Sequence, residues 1–216
     1  AGGPTPGAVN SVEGGPPGVQ LAYADHVPRM PTSQDEVIVT VLANHAVPLV
    51  KIDVNTSVGI LDSAPVTTLP LRDDGLEGDA MASDGKYSAR LPTRANRTLV
   101  RFWFEAEDAD AQKVRFPDSS SPTSNFGYYV HDGGVSTGVP LYWLVMEPAS
   151  FSELLSDSSD RLRPAAFVHE GEVYDRISIR QRGAWARSWP KKSFKIIFNR
   201  DHMFREQKRI NLNSGW

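Results

Sequence analysis

The chain has no cysteine among its 216 residues. That absence excludes disulfides, thiolate metal sites and a cysteine nucleophile. It leaves the compartment open, because many exported bacterial proteins also do without cysteine. No apolar run approaches the roughly 20 residues that span a bilayer, so no membrane span is expected. The five histidines, His26, His45, His131, His169 and His202, form no H-E-x-x-H pair, which leaves a zinc hydrolase without support. Neither a G-x-S-x-G elbow nor a P-loop is present. The chain opens on Ala1-Gly2-Gly3 without a charged-then-apolar leader and stops at Trp216 directly after a strand-like segment. It reads as a piece of a longer polypeptide.

What is present is a strong charge asymmetry. The apolar fraction of 40% and charged fraction of 23% are ordinary for a globular protein of one large or two small domains. The formal net charge of −3, however, hides two regions of opposite sign. Residues 175–216 hold eleven Lys or Arg against three acids, or +8, whereas residues 1–174 hold twelve against twenty-three, or −11. Such a division points to an anionic ligand or an internal electrostatic partner of the basic block.

Local patterning predicts a mainly β chain. Residues 1–18 are rich in Gly and Pro with little to bury, and read as a linker or the end of a preceding module. Over residues 19–132, Val37, Val39 and Val41 alternate with Ile38, Thr40 and Leu42. Val50, Ile52 and Val54 alternate with Lys51, Asp53 and Asn55, and Val100, Phe102, Phe104 and Ala106 with Arg101, Trp103 and Glu105. Period-two segments broken by Pro, Gly, Asn and Asp predict an antiparallel sandwich of immunoglobulin or fibronectin-III type. A second unit is expected over 139–216. Its expected elements are a strand over 139–146, a short helix starting at Ser150 with Glu153 completing a capping box, and strands over 165–170, 172–182 and 191–199.

Three blocks within the basic region carry a resemblance. They are Ile179-Arg180-Gln181-Arg182-Gly183, Ser188-Trp189-Pro190-Lys191-Lys192-Ser193-Phe194-Lys195 and Arg209-Ile210-Asn211-Leu212-Asn213-Ser214. In order and spacing they resemble the spore-coat-protein-H (CotH) kinase family. Val139 to Leu144 looks like the strand that opens that family's domain. The Asp- and Gly-rich stretch from Leu71 to Tyr87 looks like an immunoglobulin-like module often fused before it, and Gly3 to Ala8 like the end of a lamin-tail-like domain. The resemblance implies the first part of an α+β, kinase-like amino-terminal lobe, ATP and a divalent metal as cofactors of the full-length parent, and phosphoryl transfer to Ser or Thr of a protein. It also implies a secreted or cell-surface location. The family's catalytic and metal-holding acids belong to a later segment, so this fragment is expected to be inactive alone.

Phosphoryl transfer needs cations placed against phosphates more than covalent work from the protein. Lys192, read as the first residue of a strand and sharing a face with Phe194, Ile196 and Phe198, is the leading candidate for phosphate contact. Arg182 beside Gly183 is the second, because glycine permits close backbone approach, and Lys195 completes the set. The plainer readings are a snorkelling Lys192 and an Arg182 that supports a turn through Asp175 or Glu172. Trp185 and Trp189 read as packing residues, and Asn211 and Asn213 as turn hydrogen bonders. Asp73, Asp74, Glu77, Asp79 and Asp84 form an acidic cluster of oxygen ligands suited to Ca²⁺, although their spacing is not that of an EF-hand. A turn built by Asp and Gly accounts for them more simply. The rival to a kinase is an adhesion or scaffold module. Nucleic-acid binding ranks third, because a pI near 6.0 disfavours a polyanion.

Overall fold

The alternating valines and phenylalanines build two antiparallel sheets that share one core. The computed structural model describes residues 18–133, 138–183 and 187–214. Residues 1–17, and with them most of the expected linker, lie outside this set, as do Trp185 and Trp216. The first eight strands in chain order are β1 (Gln20–Val27), β2 (Val37–Asn44), β3 (Leu49–Val58), β4 (Val66–Pro70), β5 (Lys86–Leu91), β6 (Leu99–Asp108), β7 (Lys113–Phe116) and β8 (Phe126–Tyr129). One sheet runs β1-β2-β5. The other runs β4-β3-β6-β7, and β8 also pairs with β6. Val37, Val39, Val41 and Ala43 bury one face of β2 against Val54, Phe102, Phe104 and Ala106 of the facing sheet. Edge-on and tilted contacts among Phe102, Phe104, Phe116 and Phe126 fill the centre. The result is a β-sandwich.

The second unit is a five-stranded antiparallel meander. Its elements are β9 (Trp143–Val145), α1 (Pro148–Ser156), β10 (Arg163–His169), β11 (Glu172–Gln181), β12 (Phe194–Ile197) and β13 (Arg209–Leu212). The strands lie in the order β13-β12-β11-β10-β9. The strand expected over 139–146 shortens to three residues, because it pairs with β10 only from Trp143 to Val145. The helix also begins earlier than its capping pattern implied. Glu147 stands at the N-cap without a side-chain bond, and Pro148, with its φ already fixed, occupies the first turn. Ser150 therefore lies inside the helix.

One face of the meander carries Ala165, Phe167, Tyr174, Ile177, Ile179, Ile196 and Phe198, and receives Leu154 of α1. Alternation sends Ala166, Val168 and Val173 to the other face, where they pack with Leu99 of the sandwich. Gly171 is needed at this junction. A Cβ there would lie 2.7 Å from the Arg29 carbonyl oxygen, and its φ of +81° belongs to the left-handed region.

The short helix is held by its carboxyl end. Gln181, buried on β11, donates its Nε2 to the carbonyls of Leu154 at 2.6 Å and Leu155 at 2.9 Å. These acceptors otherwise lack intrahelical partners. Arg163 on β10 adds an ion pair to Asp157 at 2.9 Å. Hydrogen bonds from the Ser159 hydroxyl and N–H, then from Arg163, depress the Asp157 carboxyl to about 2. Its contribution to stability is thus complete above the ordinary aspartate value of about 3.9 and is lost as pH falls through about 2. Carboxyl-carbon NMR should find the Asp157 midpoint near 2, and Ser159→Ala should raise it. A midpoint at the ordinary value in the unaltered chain would contradict this anchoring.

Candidate anion-binding face

The end of β11 and its neighbours on β12 and β13 form a polar surface opposite α1. Pairing sets Arg180 beside Lys195 and Lys195 beside Asn211. Since Ile179 and Ile196 point into the core under α1, Arg180 and Lys195 project from the other face. Arg182 follows two residues after Arg180 and donates its Nη1 to Asn213 Oδ1 at 2.6 Å. The Arg182 amide bonds the Ser193 carbonyl at 2.8 Å, which continues the β11–β12 pairing past both strand ends. Gly183 then takes a φ of +90°, a conformation in which a side chain would be strained.

Two guanidinium groups share a single carboxylate oxygen here. Arg180 Nη1 donates to Asp160 Oδ1 at 2.7 Å, and Arg187 Nη2 donates to the same atom. Arg187 also reaches the Ser158 carbonyl, while its Nε is buried without a hydrogen-bond partner among the described residues. The bond from Arg187, and then the charges of Arg180, Arg187 and Lys195, hold the Asp160 carboxyl below its usual range despite some opposing desolvation. Three cations therefore act on one carboxylate. The Arg180 and Arg187 side chains are 19% and 17% exposed, whereas Asp160 is 69% exposed. The fixed part of the cluster is cationic, and the anion comes from the surface.

The structure redistributes the residues singled out in the sequence. Arg182 and Lys195 share the face just described, with Gly183 at its margin. Lys192 is not the first residue of the strand: β12 begins at Phe194. Its Nζ donates to the Arg187 carbonyl at 2.5 Å, so this lysine braces the segment that presents Arg187. Arg182 binds Asn213, whereas Asp175 and Glu172 have other partners. Glu172 accepts from the Tyr174 hydroxyl at 2.6 Å and sits 2.7 Å from His202 Nε2. Burial opposes its charge, but these two bonds keep the Glu172 carboxyl below its ordinary value. Burial and then the bond to Glu172 push the Tyr174 phenol well up. Arg187 and Asp160 were not found from the sequence, because both reach the site from irregular segments without a period. Arg180 was not singled out either, although its shared alternation phase with Arg182 was a signal that could have found it.

Two further polar assemblies lie elsewhere. Asp73, Asp79 and Asp84 each place an oxygen within 4.8 Å of the other two. Asp73 accepts from the amides of Asp84 and Gly85 at 3.1 and 3.0 Å, and Asp79 from that of Gly75 at 2.6 Å. These bonds are the work of an Asp- and Gly-built turn. A cleft of about 1070 Å³ also opens between sandwich and meander, lined by His26, Arg29, Phe116, Glu172 and His202 among others. Arg182, Gly183, Lys192 and Lys195 do not line it. No family model matches the chain, and no curated protein does.

Proposed function

We propose that the meander is a polyphosphate-binding lobe that uses Arg180, Arg182, Arg187 and Lys195 against the phosphates of ATP. In this reading the parent protein is a secreted or surface kinase of the CotH type that its basic block resembles. It transfers the γ-phosphoryl group to Ser or Thr of a protein, with a divalent metal bridging the phosphates. The observation that carries the reading is the pair of guanidinium groups on one carboxylate oxygen, with Lys195 one strand away. Arginine forks suit phosphate oxygens, and β11 holds Arg180 while β12 holds Lys195. Lys192 supports the site through the Arg187 carbonyl.

The resemblance assigns the catalytic and metal-holding acids to none of these 216 residues, so the chain alone is expected to bind nucleotide without transferring phosphate. Calorimetry with ATP and Mg²⁺ should register binding that the double variant Arg180→Gln/Arg187→Gln weakens by about 10- to 100-fold, as expected for loss of charge-assisted hydrogen bonds. Unchanged affinity in that variant would refute the site, and phosphoryl transfer by the purified chain would refute the division of labour.

A second reading, a non-catalytic adhesion or scaffold module with an immunoglobulin-like domain, is favoured by the junction between the units. There the buried Arg101 and Asp175 lie 3.7 Å apart, and Asp201 accepts from Ser121 and Thr123. A pair of β units joined by such contacts suits a spacer as well as a kinase. Absence of any ATP binding would select this alternative.

A further inference from the structure

We propose that Asp160 is a built-in latch on the cationic face, with its carboxylate occupying the position where a phosphate-class oxyanion binds. This rests on the polyphosphate reading of the same face and adds its regulation. Asp160 supplies one negative charge to a cluster of three cations, Arg180, Arg187 and Lys195. A phosphate group supplies more charge and three acceptor oxygens, so the exchange favours the ligand once it is near.

The geometry separates a fixed part from a movable one. Arg180 and Lys195 stand on paired strands, and the Arg187 segment is braced by Lys192. Asp160 instead lies in the polar connection between α1 and β10. Local bonds there hold the preceding turn: the Ser159 amide to Asp157 at 2.7 Å and the Arg161 amide to the Ser159 hydroxyl at 3.2 Å. Withdrawal of the Asp160 side chain leaves both of these bonds intact. The buried Arg187 Nε is a further donor that the carboxylate does not use. A tetrahedral oxyanion has an oxygen to spare for it.

An internal competitor scales apparent affinity by the fraction of time it is open; a latch closed about 90% of the time weakens binding about tenfold. The test is calorimetry of inorganic pyrophosphate, and separately of ATP, against the full 216-residue chain and its variants. Asp160→Asn keeps an acceptor of the same shape but removes the charge, and is expected to bind pyrophosphate roughly tenfold more tightly than the unaltered chain. Adding Arg180→Gln should cancel that gain. The control is Glu153→Gln, which removes an exposed charge of α1 paired with Arg163 and is expected to change affinity less than about twofold. A gain in Glu153→Gln equal to that in Asp160→Asn overturns the latch, since general electrostatics would then explain it. Equal binding by the unaltered chain and Asp160→Asn, lost in Arg180→Gln, overturns the latch but keeps the phosphate reading. No binding by either protein overturns both. A gain for ATP without one for pyrophosphate also overturns it, because the latch acts on the shared phosphate chemistry.

Discussion

Arg101→Met is expected to destabilise the protein by about 3–5 kcal/mol, because it strips a buried carboxylate of its cation. Arg101 is 2% exposed although it lies between Val100 and Phe102 in the heart of β6. Its Nη1 reaches Asp62 at 2.9 Å, its Nη2 donates to the Leu61 carbonyl at 2.5 Å, and Asp175 of the meander stands 3.7 Å away. Asp175 is 4% exposed and, among the described residues, keeps neutral donors once the guanidinium is gone: Asn125 Nδ2 at 3.3 Å and the Arg176 amide at 2.8 Å. Methionine fills similar volume, so the loss reports charge more than packing. Urea unfolding provides the measurement. Asp175→Asn in the same background should recover at least half of the loss, because the residual penalty belongs to the unpaired charge. A single variant within about 1 kcal/mol of the parent would show that Asp175 does not depend on Arg101.

Phe167→Ala is expected to cost about 3–5 kcal/mol and to act mainly on the meander. The Phe167 ring is 1% exposed and lies within 5.3 to 6.0 Å of Tyr142, Tyr174, Phe198 and Phe204. Truncation leaves a void lined by four rings that strands and a short helix cannot collapse to fill. The sandwich has a separate core around Val39, Val54, Phe102 and Phe104. Hydrogen exchange should therefore show protection falling in β10 to β13 while β2, β3 and β6 keep most of theirs. Equal loss throughout would mean that the interface around Leu99, Ala166, Val168 and Val173 fuses both units into one cooperative body.

Arg101 illustrates where sequence reading stopped. A charged residue inside the apolar run of β6 was visible, and alternation placed it opposite Phe102. Its counter-ions were not visible, because Asp62 lies 39 residues away and Asp175 lies 74 residues away in another sheet. The basic block behaved similarly. The alternation that puts Phe194 and Ile196 on one face puts Lys195 on the other, since that period is fixed by the backbone. The position of Lys192 was missed, because pairing of β12 starts only at Phe194 and nothing local says where a ladder begins. Gln181 passed as part of a motif. Its service to the last carbonyls of α1 depends on a contact spanning 27 residues.

By itself the sequence determined the mainly β character, the sandwich followed by a second sheet with one short helix, and the segregation of positive charge into the last forty residues. These follow from period-two burial, turn residues and composition, all of which act over a few neighbours. Only the tertiary structure decided which charges meet: Asp160 on Arg180 and Arg187, Arg101 beside Asp175, and Lys192 on a backbone carbonyl. The physical reason is that a charge is satisfied by whatever the fold brings within a few ångströms, and sheet pairing joins residues regardless of their separation along the chain.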